Sequence, residues 1–268
     1  MSQEPEYLLG TNDSELARLE FQHSVWRDLT EGALDRAGLG PGAKVLDLGC
    51  GPGFVSQDIA SRLGPSGHLT CLDESPVWHR VLSGVDWPCP VERIEKRIED
   101  AALPEAEYDL VFSRWVFSFL SDVDAAAAKV FRSLKPGGRV VIQDYNHEGI
   151  SVFPRSAGFE SVVRCTREFY RDYGGDAWVA AALPGALRRA GFTELEVQPN
   201  VKAGGPGSGV FQWADVFFPV FSGVFLSRGL MTREERLQFL DEWEALKENP
   251  DALFFSPIVC DVIAVKPG

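Results

Sequence analysis

The chain has 268 residues, 45% hydrophobic and 24% charged, with a formal charge of −13 and a mean hydropathy near zero. That describes a globular chain long enough to bury about three quarters of its unfolded surface, while the acidic balance argues against a nucleic-acid partner, whose phosphates are held mainly by Lys and Arg. Five cysteines (Cys50, Cys71, Cys89, Cys165, Cys260) without a C-x-x-C pair point to neither a disulfide framework nor a zinc site, and with no run expected to approach the ~20 apolar residues of a membrane span and a polar start that is no signal peptide, a cytoplasmic protein is expected.

Residues 1–10 read as a polar tail containing Tyr7. Thr11, Asn12 and Asp13 then offer N-cap chemistry for a helix whose apolar positions Leu16, Leu19, Trp26, Leu29, Ala33 and Ala37 recur at steps of three or four, apart from one step of seven. Gly38 and Gly40-Pro41 end it.

The stretch Val45-Leu46-Asp47-Leu48-Gly49-Cys50-Gly51-Pro52-Gly53 organises the rest. A buried strand carrying an acid opens into glycines at alternate positions, where the backbone can come close to a ligand. The dinucleotide fingerprint would need its third glycine at position 54, and Phe54 stands there. Phe54 to Leu63 reads as a helix whose free N–H groups face the turn and suit a carboxylate. His68 to Leu72 is the second strand, delivering Asp73 at its carboxyl edge. Val91, Ile94 and Ile98 show helical spacing, yet an α/β sheet needs a third strand there.

Asp109 to Ser113 is the fourth strand. Ligands of open α/β sheets sit beyond the carboxyl ends of strands, which puts Ser113, Arg114 and Trp115 beside them. An Ala-rich helix from Asp124 to Leu134, a tight turn at 135–138 and a fifth strand from Arg139 to Gln143 follow. Asp144, Tyr145, Asn146, His147 and Glu148 then form the densest cluster of acid and base side chains. Helices are expected from Gly158 to Tyr173 and onward through Arg189, with a sixth strand from Leu195 to Val201. A glycine-rich loop at 204–209 opens an aromatic segment (Phe211, Trp213, Phe217, Phe218, Phe221, Phe225), and an amphipathic helix from Thr232 to Lys247 precedes a last strand, Ile258 to Val265.

The glycine turn, Leu69-Thr70-Cys71-Leu72-Asp73, Leu103-Pro104 before Tyr108 to Phe112, and Leu134-Lys135-Pro136-Gly137-Gly138-Arg139 before Val140 to Ile142 occur in one order. The set resembles the class I, Rossmann-like S-adenosylmethionine-dependent methyltransferases of small-molecule type, over about residues 40 to 145. The resemblance implies an α/β fold: a doubly wound, mostly parallel seven-stranded sheet with helices on both faces and a helical substrate cap. Residues 1–40 would be an N-terminal lid, 41–148 and 184–268 the cofactor-binding domain, and 149–183 and 204–250 cap insertions.

The implied cofactor is S-adenosyl-L-methionine, with S-adenosyl-L-homocysteine as product. Implied contacts are Asp47, Gly49, Cys50, Gly51, Gly53, the ribose acid Asp73, Glu99 or Asp100 for the adenine, Ser113 and Arg114, with Tyr7, Arg18 and Gln22 from the lid. His147 is the candidate general base and His23 the second. Trp115, Tyr145, Phe211, Trp213 and Phe217 are candidates to wall an acceptor pocket, core packing being the other reading of the aromatics. The expected reaction, which requires no metal, methylates an O, N or C atom of a small apolar or aromatic metabolite, in a monomer or homodimer without a membrane partner. A protein or tRNA methyltransferase and a non-catalytic cofactor-binding module are the alternatives; the glycine spacing disfavours a nicotinamide dehydrogenase.

Overall fold

Short apolar runs alternating with helical stretches build an α/β sheet, and the computed structural model, which describes residues 13 to 268, shows which one. Helix α1 (Asp13–Arg36) leads into β1 (Lys44–Leu48), α2 (Phe54–Leu63), β2 (His68–Asp73), α3 (Pro76–Ser83), β3 (Val91–Glu95), β4 (Tyr108–Arg114), α4 (Val123–Ser133) and β5 (Leu134–Asn146). Next come β6 (Ser151–Phe153), α5 (Ala157–Asp172), α6 (Val179–Ala190), β7 (Thr193–Asn200), β8 (Ala203–Gly204), α7 (Gly209–Ser227), α8 (Arg233–Lys247), β9 (Leu253–Phe255) and β10 (Ile258–Val265).

Seven strands pair in the order β3-β2-β1-β4-β5-β10-β7, with β10 antiparallel to both neighbours. The winding reverses between β1 and β4, so Leu48 is flanked by Leu72 on one side and Ser113 on the other. This register brings the glycine turn, Asp73 and Arg114 to a single sheet edge, where such folds bind ligands.

Three expectations change. β3 is a sheet-edge strand in which only Val91 and Ile94 are partly buried, so it needed no strand-like alternation; Ile98, which completed the helical spacing, is buried in the loop beyond it. The turn expected at 135–138 is absorbed into β5, where the register against β4 shifts between Tyr108 and Leu110. The cap boundary at 183/184 cuts through α6, which packs on α4 and β5 and belongs to the sheet.

The cap has its own core. Trp26 of α1 joins Phe159, Phe169, Phe211, Trp213, Phe218, Phe239 and Trp243 in one apolar cluster, separate from the two clusters on the faces of the sheet. A small sheet, β6-β9-β8, floors it; its strands are too short to show a period in the sequence. By length and composition α7 could cross a membrane, contrary to expectation, yet here Val210, Phe211, Trp213, Ala214, Phe218, Phe221 and Phe225 on it are buried in the cap.

Candidate functional site

The Gly49–Gly53 turn is fixed by its backbone. Gly49 and Cys50 both donate N–H to the Leu72 carbonyl, at 2.7 and 3.0 Å. Gly49 has φ 74°, and a Cβ there would stand 2.1 Å from Cγ2 of Val116, so only glycine fits. Gly51, at φ 53°, has no heavy atom within 4 Å of where a Cβ would be, leaving its side of the turn open.

Asp73 Oδ2 accepts the Gly51 N–H and Oδ1 the Ser75 N–H, both at 2.9 Å. Burial raises its pKa while these two bonds lower it. Asp47 is also buried; burial pushes it up to about 6, opposed by the Ser56 hydroxyl at 2.5 Å and by the charge of Arg114.

Arg114 carries the site's most exacting electrostatics. Its guanidinium donates to Thr30 Oγ1 at 3.0 Å and to His23 Nδ1 at 3.3 Å, and covers the Trp115 ring at 4.5 Å. Burial lowers its pKa to about 10, with Asp47 the main opposing charge. Thr30 in turn donates its hydroxyl to Gln143 Oε1 at 2.6 Å. Because arginine can only donate, His23 Nδ1 must accept, which leaves Nε2–H for Asp58 at 3.2 Å. His23 also stacks on Phe54. This corrects the reading of His23 as a base: both nitrogens are engaged and the ring holds Arg114 from behind, outside the cavity lining.

The cavity has a volume of about 300 Å³ and runs from the turn to the cap. Asp47, Gly49, Cys50, Gly51, Asp73, Glu99 and Arg114 line one end, with Arg18 and Gln22 reaching in from α1. Arg18 is held by Glu15 at 2.7 Å, and Gln22 Oε1 accepts from both Arg18 and Trp213 Nε1. Besides His23, four sequence candidates fall elsewhere. Asp100 is absent from the lining, and Ser113 turns its hydroxyl to the Leu48 carbonyl. Gly53 caps α2 against Leu82, and Phe211 stacks on Trp243 inside the cap core. Tyr7 lies outside the described residues.

Trp115, Tyr145, His147, Trp213 and Phe217 line the other end. Trp115 takes φ 57°, rare for a bulky residue, and lies flat on Tyr145, with ring centroids 5.6 Å apart. Tyr145 meets the edge of His147, which in turn meets Tyr170. His147 is 4% exposed, and neither ring nitrogen has a hydrogen-bond partner among the described residues. Burial, reinforced by Arg167, lowers its pKa to about 3. The ring is therefore neutral at physiological pH, with a lone pair to accept a hydrogen bond and little capacity to keep a proton.

Sequence reasoning missed Thr166, Phe169 and Tyr170, which share one face of α5 in the lining, while Phe218 and Phe221 of the aromatic segment it did name join them there. Their i, i+3, i+4 spacing marked a buried face without saying that a cavity was behind it.

Residues 46–142 match the methyltransferase domain family. The ubiquinone/menaquinone biosynthesis C-methyltransferases UbiE of Psychromonas ingrahamii and Cupriavidus necator are 28% and 32% identical to this chain, over 49% and 46% of it and over 54% and 51% of their own length. The chain thus spans about half the length of the curated relatives it matches. Among solved structures, the Haemonchus contortus phosphoethanolamine N-methyltransferase 2 in complex with S-adenosyl-L-methionine is similar in fold, with a TM-score of 0.53 at 19% identity, covering 90% of this chain and 53% of that one. Residues 46–142, which run from β1 through the glycine turn into β5, are thus a methyltransferase domain, laid on a strand order that the solved methyltransferase structures share in fold.

Proposed function

We propose that the chain transfers the methyl group of S-adenosylmethionine to an O, N or C atom of a small, apolar or aromatic acceptor. The observation that carries this is one continuous cavity, charged and glycine-lined at the sheet edge and aromatic at the cap. The donors present suit the cofactor. Each Asp73 oxygen keeps lone pairs beyond its backbone bond for two vicinal ribose hydroxyls, Glu99 can receive an adenine amino group, and Arg114, bound only to neutral acceptors, can take the methionine carboxylate.

When bound, S-adenosylmethionine supplies an electrophilic methyl and leaves as a neutral thioether, so the protein's tasks are alignment and exclusion of water. Trp115, Tyr145, Trp213 and Phe217 exclude water, and the latch from Gln22 to Trp213 holds the cap helix over the cavity. The names of the curated relatives, C-methyltransferases of quinone biosynthesis, support a small apolar acceptor.

Titration with S-adenosylmethionine and S-adenosylhomocysteine, followed by labelled methyl transfer into a small-molecule extract, tests the reading. Binding of both, lost in Asp73→Ala, with label in small molecules supports it. No binding, or label only in protein or RNA, overturns it.

A further inference from the structure

The aromatic end of the cavity contains three buried polar atoms that no described residue satisfies: both ring nitrogens of His147 and Nε1 of Trp115. A buried donor or acceptor left without a partner is costly, so native proteins seldom keep one, let alone three in one cavity, unless a ligand or an ordered water completes it. All three belong to residues lining this cavity, and Tyr145 separates them, stacked on Trp115 and edge-on to His147.

Charge narrows the ligand. Arg114 covers the Trp115 face and Arg18 lies 5.7 Å from the Phe217 ring centroid, so two of the aromatic faces an ammonium would seek are already under cations, which also repel it. At the His147 end the remaining lining is Ile150, Thr166, Phe169, Tyr170 and Phe221, with no cation for a carboxylate. Arg167, the nearest, gives one Nη to the His147 carbonyl and covers the Trp178 ring. A neutral imidazole offers one lone pair and one N–H, and the indole offers a second N–H.

Resting on the methyltransferase reading, we infer that the acceptor is an uncharged ring compound bearing a hydroxyl group, whose O–H is received by a His147 ring nitrogen. The apolar, largely aromatic lining at Phe169, Tyr170, Phe217 and Phe221 selects the ring, and His147 selects the hydroxyl. His147 is thus a specificity-determining residue that acts by accepting a hydrogen bond.

The test uses the full chain saturated with S-adenosylhomocysteine and four probes of one size: 1-naphthol, 1-methoxynaphthalene, 1-naphthoate and 1-naphthylmethylammonium. 1-Naphthol is expected to bind at least about tenfold tighter than each of the others, the factor that about 1.4 kcal/mol confers, and His147→Phe to erase the preference over the methyl ether. In the same variant S-adenosylhomocysteine affinity stays within about twofold, since His147 is at the other end of the cavity from Asp73. Should His147→Phe fail to fold, nitrogen NMR of the wild type decides, as only four histidines contribute. The unprotonated His147 nitrogen is expected to move upfield with 1-naphthol and not with its methyl ether. Equal binding of alcohol and ether, tighter binding of either charged probe, binding of no probe, or an unmoved nitrogen signal overturns the inference. Failure of S-adenosylhomocysteine itself to bind would overturn the methyltransferase reading instead.

Discussion

Asp73 and Gly51 form one unit: the carboxylate at the end of β2 holds the N–H at the centre of the glycine turn at 2.9 Å. The acid therefore shapes the turn as well as facing the cavity. Asp73→Ala is expected to weaken S-adenosylhomocysteine binding by more than about tenfold, or about 1.4 kcal/mol, as charge-assisted bonds are lost. Asp73→Asn should do little better, because the amide N–H₂ would meet the N–H of Gly51 or of Ser75. Calorimetric titration of both variants checks this; unchanged affinity would refute it.

Gly49→Ala combines a left-handed backbone with a methyl group 2.1 Å from Val116 Cγ2. A loss of about 1–3 kcal/mol is expected. Adding Val116→Ala should restore part of it by removing the clash and not the φ strain. Chemical denaturation of the two variants separates these contributions.

His147 makes stability depend on pH. Its pKa falls from 6.5 to about 3 on folding, so between those values the unfolded chain binds more protons. The stability contributed by its neutral form is complete above pH 6.5 and is lost as pH falls toward about 3, at up to about 1.4 kcal/mol per pH unit. Denaturation at about pH 7, 6 and 5 should show the wild type losing stability faster than His147→Phe, which has no such group. Parallel pH curves would contradict the assignment.

His23 is expected to behave as a positioning residue for Arg114. His23→Ala should weaken S-adenosylhomocysteine binding several-fold by releasing the guanidinium, and Asp58→Asn should do so more mildly, since the His23 Nε2–H keeps an oxygen partner. Neither should remove a basic limb from the pH profile of methyl transfer. Loss of such a limb in His23→Ala would restore His23 as a base.

The centre of the sheet was legible because β1, β2, β4 and β10 are buried and strongly apolar. β10 is Ile258–Val265 and α2 is Phe54–Leu63, both as read from the sequence. The seven-residue gap in the α1 pattern, from Leu19 to Trp26, now has a physical reason. Gln22 and His23 occupy the buried face there, turned to Trp213 and to Arg114. A polar residue in an apolar stripe was the visible trace of the site.

The rest was hidden for equally physical reasons. Phe211 and Phe217 are on one helix and look alike in sequence, yet one stacks on Trp243 in the core and the other faces the cavity beside Trp213. Helical phase alone does not say which flank has a neighbour. Asp100 and Glu99 are likewise adjacent, and only Glu99 reaches the lining.

The separation of the cap core from the two sheet cores has an evolutionary consequence. Substitutions along α5 and α7 can reshape the aromatic end of the cavity with little effect on the packing beneath the glycine turn, since the two regions lie in separate buried clusters. One half can thus be rewritten while the other is kept, with Gln22, bonded to Arg18 and to Trp213, as the seam that both must respect.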